Sequence, residues 1–209
     1  MKKAVLFDVD GTLIDAWEFI HGAIVHTIKV HGHKMPSKKV IKDAMGHPLL
    51  AFYETVFPGL DPKLFAKTHD DFQQGKFDLG KPFPKARETL KRLKSQGFLI
   101  GVVSNRTKNS LHTTLKKAKL LEFIDVVVSA EDVAHPKPNK EHVLKTLELL
   151  RVNPKDAILV GDTDMDILAG KNAKVQTVGV TYGFLGKSIK EHNPDFVIDD
   201  LEELFELVK

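Results

Sequence analysis

The sequence predicts an α/β protein whose core is a doubly wound parallel sheet, interrupted after its first strand by a small all-helical domain. Short apolar runs rich in β-branched residues alternate with longer amphipathic patterns, which is typical of repeated strand–helix–strand units. A stretch of roughly 65 residues near the amino end carries helical patterns and no convincing strand. These two patterns define the predicted fold class, a Rossmann-like core with a helical insertion.

The strand predictions depend on apolar runs that are continuous instead of alternating. These runs are too short for helices, and turn residues bound them. A continuous apolar run indicates a strand buried on both faces, as in a parallel sheet. The predicted strands are Ala4–Phe7, Phe98–Val103, Val126–Val128, Ala157–Val160, Thr177–Val180 and, more weakly, Phe196–Ile198.

Helices are predicted between the later strands from apolar spacing and end signals. Pro84 suits a first helical turn, and Gly97 suits the position just past that helix's end. Residues 107–118 have an apolar stripe, and Asn139 can cap a helix over Lys140–Leu150. Strands and helices that alternate in this order predict right-handed βαβ units.

The segment between the first strand and Pro84 is predicted to be a domain of its own. Its helical patterns cover Trp17–Val30, Ser37–Met45, Leu49–Val56 and Pro62–Gln74. Such an insertion is far longer than a normal loop between a strand and a helix. We therefore expect a core of residues 1–15 and 82–209, with a helical cap of residues 16–81, called the helical insert below. Insertions after strand ends usually overhang the ligand site.

The composition restricts the chemistry that the chain can use. The 209 residues include 31 Lys and Arg against 28 Asp and Glu, for a formal charge of +3, and no cysteine. Without cysteine there is no disulfide, no thiolate metal ligand and no thiol nucleophile. Catalysis must therefore use oxygen or nitrogen groups.

The charge pattern and hydropathy also bear on location and partners. The first apolar run, Ala4–Phe7, ends at Asp8, which is too short for a signal peptide, and no segment is apolar enough to span a membrane. There is no run of five like charges that would indicate a nucleic-acid arm. The sequence predicts a cytoplasmic protein with neither a nucleic-acid nor a membrane partner.

Polar residues gather where the predicted strands end. In an open parallel sheet, ligands bind outside the carboxyl ends of the strands. The residues at or near those ends that can bind or react are Asp8, Asp10, Gly11, Thr12, Ser104, Asn105, Lys137, Asp162 and Asp166.

The acidic residues in this set predict a metal site. Asp8 and Asp10 are two positions apart, so both carboxylates emerge on one side of the strand end. Two charges ~4 Å apart repel by roughly 4 kcal/mol at an effective dielectric near 20. With Asp162 and Asp166, four carboxylates face Lys137, which is a local excess of three negative charges. Carboxylate and carbonyl oxygens without histidine or cysteine suit Mg²⁺.

A calcium-binding loop is the competing interpretation of Asp162, Asp164 and Asp166. It fails because the sixth position of the loop is Ile167 where glycine is needed, and the twelfth is Ala173 where glutamate is needed.

The remaining residues of the set suit an anionic substrate beside the metal. Lys137 lies between two prolines that restrict its backbone, so it presents a rigidly held positive charge. Ser104 offers a hydroxyl, and the amides of Asp10, Gly11 and Asn105 can surround an anion. A carboxylate nucleophile, a metal, a lysine and a hydroxyl together indicate phosphoryl transfer through an acyl phosphate.

These segments, in this order, resemble the haloacid dehalogenase-like hydrolase superfamily. The family's first motif, DxDGT followed by Leu or Val, matches residues 8–13, and the resemblance covers nearly the whole chain, including the helical insert. It implies that Asp8 is the nucleophile that becomes phospho-aspartate, and that Asp10 is the general acid and then the general base. It also implies that Ser104 and Lys137 hold the phosphoryl group. The implied Mg²⁺ ligands are Asp8, the Asp10 carbonyl and Asp162, with Asp166 in support.

Within that superfamily, residues 132–138 and 166–172 are most similar to phosphoglycolate phosphatases and the related pyrophosphatases. The implied substrate is a small phosphorylated metabolite, to which Gly11, Thr12, Asn105 and His47 would bind. A sugar-phosphate phosphatase and a phosphomutase are alternatives.

His47 is a candidate because residues 46–48 join two helices of the insert, where similar caps place a substrate-reading loop; a solvated turn residue is the alternative. Lys174 departs from the family, which usually has glycine at this helix end, and a left-handed lysine costs on the order of 1 kcal/mol.

From a different class, a receiver-like phospho-acceptor domain also uses an acidic cluster, a hydroxyl and a lysine. Such domains have no helical insertion, and their acceptor does not follow the first strand. The sequence therefore favours the enzyme.

Overall fold

A six-stranded, all-parallel sheet forms the centre of the computed structural model, which describes residues 2–208. The strands are β1 (Ala4–Phe7), β2 (Ile14–Asp15), β3 (Lys81–Pro82), β4 (Leu99–Val103), β5 (Val126–Val128), β6 (Ala157–Gly161), β7 (Gln176–Val180) and β8 (Phe196–Ile198). The sheet order is β5-β4-β1-β6-β7-β8, and β2 and β3 form a separate antiparallel pair. The predicted parallel α/β core is confirmed.

The register of the central strands determines where the polar strand ends meet. Phe7, the last residue of β1, lies opposite Val102 of β4 and Val160 of β6. All three strands run in one direction, so their carboxyl ends lie side by side. Asp8 therefore emerges next to Asp162, although 154 positions separate them in the chain.

Helices cover both faces of the sheet. The helices are α1 (Trp17–Val30), α2 (Lys38–Asp43), α3 (Leu49–Val56), α4 (Pro62–Gln73), α5 (Ala86–Ser95), α6 (Lys108–Lys117), α7 (Glu141–Leu150), α8 (Asp164–Asn172) and α9 (Leu204–Leu207). Val5 and Phe7 pack into an apolar cluster with residues of α5 and α6, whereas Ala4 and Leu6 pack into a second cluster with residues of α7 and α8. Both faces of β1 are buried, which explains its continuous apolar run.

Helices α1 to α4 enclose an apolar cluster of their own. Ile24 and Ile28 of α1, Phe52 of α3 and Phe65 of α4 are buried in it. The antiparallel pair of β2 and β3 joins this helical insert to the sheet, with Ile14 opposite Pro82. The domain boundaries at residues 15 and 82 stay a prediction.

Several ends of elements differ from the predicted positions. Helix α5 begins at Ala86, because Lys85 has a left-handed backbone with φ of 64° and ends the preceding turn. The cap position of α1 is Ala16, and an Asp15 carboxylate oxygen accepts from the amide of Trp17. Lys174 has φ of 58°, so the left-handed turn persists without glycine.

Among residues 2–208, no helix has both the length and the apolar character needed to cross a membrane. The cytoplasmic location stays a prediction.

Candidate active site

Three buried carboxylates form a cluster at the carboxyl edge of the sheet. Asp8 follows β1, Asp162 follows β6, and Asp166 lies in the first turn of α8. One oxygen from each lies within 4.8 Å of the others. The strand register brings the first two together, and the turn from β6 into α8 brings the third.

Lys137 is the buried cation of this cluster. Its Nζ donates to an oxygen of Asp8 at 2.6 Å, to one of Asp166 at 2.7 Å and to the Val103 carbonyl at 2.9 Å. Its backbone amide donates to Asn105 Oδ1 at 3.0 Å and to His142 Nδ1 at 3.1 Å. Contacts at both ends of the residue hold the charge in place, as its position between two prolines predicts.

Burial and mutual repulsion perturb the acidic groups. Burial raises the pKa of Asp8 to about 7, although Lys137 opposes this rise. Burial, and then the charge of Asp8, raise the pKa of Asp162 well above its ordinary value. Burial alone would lower the pKa of Lys137, but Asp166 and Asp8 more than offset it, and the pKa is raised. The cluster therefore resists full ionisation in the absence of a further cation.

The free oxygens of the cluster fit a divalent cation. Both Asp166 oxygens are engaged, one by Lys137 and the other by the amide and hydroxyl of Thr163. One Asp162 oxygen accepts from the Phe184 amide at 2.6 Å, and within the described part of the chain the other accepts only a long hydrogen bond, at 3.4 Å, from the Thr12 hydroxyl. Three carboxylates against one lysine leave two negative charges, which one Mg²⁺ would neutralise.

Arg106 pairs with Asp10, and sequence reasoning missed it. Its Nη1 donates to Asp10 Oδ1 at 2.9 Å, and its Nη2 donates to Ser110 Oγ at 2.7 Å. The two side chains of the ion pair are 11% and 13% exposed. The predicted local excess of three negative charges is thereby corrected to two. Its position in the sequence could have indicated it, because Arg106 directly follows Ser104 and Asn105 at the end of a predicted strand.

Asn105 connects the helical insert to Lys137. Its Nδ2 donates to the Gly46 carbonyl at 2.7 Å and to the Lys137 carbonyl at 3.1 Å. Gly46 has φ of 83°, and a Cβ there would lie 2.8 Å from Thr163 Oγ1. The loop of the insert thus approaches the core so closely that position 46 requires glycine. Asn105 also lines the cavity described below.

Gly11 and Thr12 lie beside Asp162 and outside the lining of the cavity described below. Their part in substrate binding stays a prediction. The Gly11 amide donates to the Ile14 carbonyl at 2.8 Å, so the turn itself uses this donor. A Cβ on Gly11 would lie 2.1 Å from Asp162 Oδ2. The Thr12 hydroxyl lies 3.4 Å from Asp162 Oδ1, and its carbonyl accepts from the hydroxyl of Tyr182 at 3.0 Å.

A cavity lies between the carboxyl edge of the sheet and the helical insert. Its core side includes Asp8, Asp10, Ser104, Asn105, Arg106 and Lys137. The insert contributes apolar residues together with His47, His69, Asp70 and Gln73. His69 bonds through its two ring nitrogens to Tyr53 Oη and Gln73 Nε2, each at 2.9 Å. The cavity opens on the predicted nucleophile, and His47 lines it as its loop position predicts.

The fold and the site define a class of protein: a hydrolase with a doubly wound core, an acidic centre at the strand ends and a helical insertion above it. Residues 5–180 match the family model of the haloacid dehalogenase-like hydrolases. The chain belongs to this family and is an enzyme, as the sequence resemblance implies.

Relatives of known sequence or structure match nearly the whole chain. It is 32% identical to the pyrophosphatase PpaX of Bacillus thuringiensis strain Al Hakam, over 99% of this chain and 96% of that protein. A predicted phosphoglycolate phosphatase from Haemophilus somnus 129PT has a TM-score of 0.90 at 21% identity, over 100% and 98% of the two chains. A haloacid dehalogenase-like hydrolase from Streptococcus pneumoniae has a TM-score of 0.87 at 23% identity, over 100% and 99%. The two structural similarities establish the shared fold.

Proposed function

We propose that this enzyme is a Mg²⁺-dependent phosphatase that hydrolyses a small phosphorylated metabolite through phospho-Asp8. The observation that carries the proposal is the position of Asp8, which lines the cavity at the end of β1 with one oxygen held by Lys137 at 2.6 Å. No donor among the described residues forms a hydrogen bond with its second oxygen. A carboxylate held at one oxygen and open at the other is oriented for attack.

The residues around Asp8 would divide the reaction into two displacements. In the first, a carboxylate oxygen of Asp8 attacks phosphorus, an acyl phosphate forms, and the bond to the leaving oxygen breaks. Asp10 donates a proton to that leaving oxygen. In the second, water attacks the same phosphorus, Asp10 accepts a proton from it, and phosphate and the free Asp8 carboxylate are released. Ser104 and Lys137 would hold the phosphoryl oxygens during both displacements.

Mg²⁺, when bound, would neutralise charge on the phosphoryl oxygens and offset the repulsion between these oxygens and the carboxylates. Asp8, Asp162 and the Asp10 carbonyl would hold it. Asp166 would act indirectly, because Lys137 and Thr163 already engage both of its oxygens.

The substrate is proposed to be phosphoglycolate or a similar small ester. Pyrophosphate is the second candidate, and the 32% identity to PpaX over nearly the full length supports it. A sugar-phosphate phosphatase and a phosphomutase have no such specific support. Membership of a hydrolase family favours the enzyme over a receiver-like switch.

The test is phosphate release from phosphoglycolate, pyrophosphate, a hexose phosphate and p-nitrophenyl phosphate, with Mg²⁺ or with EDTA. We expect turnover that requires Mg²⁺ and is lost in Asp8→Asn. Asp164→Asn is the matched control. It also replaces one aspartate by asparagine, but Asp164 lies in the first turn of α8 and does not line the cavity. The proposal is wrong if Asp8→Asn keeps most of the turnover or if activity survives thorough chelation.

A second measurement separates the enzyme from a phospho-acceptor switch. The chain is incubated with acetyl phosphate and Mg²⁺, and both protein-bound and released phosphate are followed. A phosphoprotein that persists for minutes without steady phosphate release would favour the switch.

A further inference from the structure

Arg106 supplies a positive charge to the side of the cavity that faces the helical insert. Among the described residues, Arg106 and Lys137 are the two lysine or arginine side chains that line the cavity. Lys137 is committed to Asp8 and Asp166 in the acidic cluster. The Arg106 guanidinium instead lies 4.8 Å from the ring of Phe19, a residue of helix α1 in the insert.

The position of Arg106 relative to Asp10 indicates which part of a substrate it meets. In the proposed reaction, Asp10 protonates the oxygen of the leaving group. Arg106 Nη1 lies 2.9 Å from Asp10 Oδ1, so the guanidinium adjoins the space that the leaving group occupies. In the same reaction, Ser104 and Lys137 would hold the phosphoryl group at Asp8.

The guanidinium has donors to spare. It carries five N–H groups, and its hydrogen bonds within the described residues go to Asp10 and Ser110. The planar group can bind a carboxylate or a phosphate through two parallel hydrogen bonds. Its bond to Ser110 and its contact with Phe19 hold it in place for such an anion.

On the wall of the insert, the buried ring of His69 adds no positive charge. Burial, and then the charge of Arg106, lower the pKa of His69 to about 3, so this ring is neutral at pH 7. Burial raises the pKa of Asp70, and Arg106 opposes that rise. His47 lies on the loop between α2 and α3, at the same wall. Arg106 is therefore the permanent cation available to a second anionic group of the substrate.

We propose that Arg106 is a specificity-determining residue that binds a second anionic group, a carboxylate or a second phosphate, on the leaving portion of the substrate. This inference rests on the proposed phosphatase function. With a substrate that lacks this anion, Arg106 keeps its bonds to Asp10 and Ser110, and the binding free energy of a further charge-assisted bond is lost. The enzyme would then select phosphoglycolate or pyrophosphate over esters with an uncharged leaving group.

The test compares two esters that differ in that one group, phosphoglycolate and ethyl phosphate, and adds pyrophosphate, an anhydride whose leaving group is itself a phosphate. The values of kcat/KM for phosphoglycolate, pyrophosphate and ethyl phosphate are measured for the native enzyme, Arg106→Gln, Arg106→Lys and the control Arg87→Gln. The control removes a surface arginine that pairs with Glu122. We expect Arg106→Gln to reduce the preference for a doubly anionic substrate over ethyl phosphate by about 10- to 100-fold, the range for a hydrogen bond to a charged group.

Arg106→Lys is expected to recover part of that preference, and Arg87→Gln to retain it. The substrate whose rate falls more in Arg106→Gln identifies the second anion as a carboxylate or a phosphate. If Arg106→Gln slows all three substrates equally, Arg106 acts only through Asp10, and the inference is overturned. The ratio of phosphoglycolate to ethyl phosphate isolates specificity, because both have alkoxide leaving groups and damage to Asp10 slows both.

A binding measurement keeps the inference testable if turnover is absent. Two proteins are compared by calorimetry in Mg²⁺: the single variant Asp8→Asn and the double variant that also carries Arg106→Gln. The measured quantity is the affinity of each for phosphoglycolate, pyrophosphate and ethyl phosphate. The double variant should bind at least one doubly anionic ligand about 10-fold or more weakly, with a smaller change for ethyl phosphate. Equal affinities in the two proteins would overturn the inference. Lack of turnover in the native enzyme would instead count against the proposed function.

Discussion

The Asp8→Asn variant is expected to be more stable than the native chain when no metal is bound. Asp8 is buried, and its pKa is raised from an ordinary 3.8 to about 7 despite the contact with Lys137. At 1.36 kcal/mol for each pH unit, ionised Asp8 costs the fold at most about 4 kcal/mol. Asparagine has nearly the same shape and no charge, so the substitution removes this cost. Lys137 keeps its bonds to Asp166 and to the Val103 carbonyl.

The pH dependence gives this prediction its sign. When a carboxyl group has a higher pKa in the folded chain than in the unfolded chain, the free energy of unfolding falls as the pH rises between the two pKa values. The penalty at Asp8 is therefore absent below about pH 4, grows as the pH rises and is complete above about pH 7. The advantage of Asp8→Asn should follow the same course.

Urea unfolding in EDTA at pH 5, 6, 7 and 8 measures the difference directly. For a chain of this length, a gain of 4 kcal/mol corresponds to a rise in Tm of roughly 8 to 16 °C, and solvent relaxation would reduce both figures. Asp164→Asn, the matched control, should show no such pH-dependent gain. Mg²⁺ should stabilise the native chain more than Asp8→Asn. The reasoning is refuted if Asp8→Asn is no more stable than the native chain at pH 8, or if the difference does not change with pH.

Two further predictions concern the helical insert. Gly46→Ala should lower kcat/KM by about 10-fold, because a left-handed alanine costs about 1 kcal/mol and its Cβ would lie 2.8 Å from Thr163 Oγ1. Gly59→Ala, which has a similar φ of 88° but open space around it, should cost stability without that loss, and equal losses in both variants would contradict the close-approach argument. Burial lowers the pKa of His69 from 6.5 to about 3. As the pH falls below about 6.5, this ring therefore binds a proton in the unfolded chain but not in the folded chain. Between pH 7 and 5 the native chain should lose about 2 kcal/mol relative to His69→Gln, as urea unfolding at the two pH values would show, and parallel pH profiles would exclude this role.

Much of the core could be predicted because burial on both faces leaves a direct trace in sequence. Continuous apolar runs located all six strands of the main sheet to within a residue at each end. The pair of β2 and β3 was missed, because two residues per strand are too few to show any period. The start of α5 was missed because Lys85 has a left-handed backbone, and a lysine gives no indication of that conformation in the sequence.

The candidate site was predictable to the extent that it follows strand ends. Asp8, Ser104 and Asp162 line up because parallel strands end at one edge. Arg106 and the Phe184 amide were missed, since neither belongs to a pattern that reveals which partner it contacts. The roles of Gly11 and Thr12 stay a prediction, because the sequence shows that a tight turn occurs, but not where its amides point.

By itself, the sequence determined the class of fold, the order of its elements and the chemical type of the site, because apolar periodicity and residue chemistry are local properties. Tertiary structure decided which groups neutralise one another. Whether Asp10 adds to the acidic cluster depends on Arg106, which follows a different strand and whose Nη1 lies 2.9 Å from Asp10 Oδ1. Whether the helical insert reaches the core depends on the contact between Asn105 and Gly46. Charge balance and close approach are set by distances between segments far apart in the chain, and only the folded chain determines those distances.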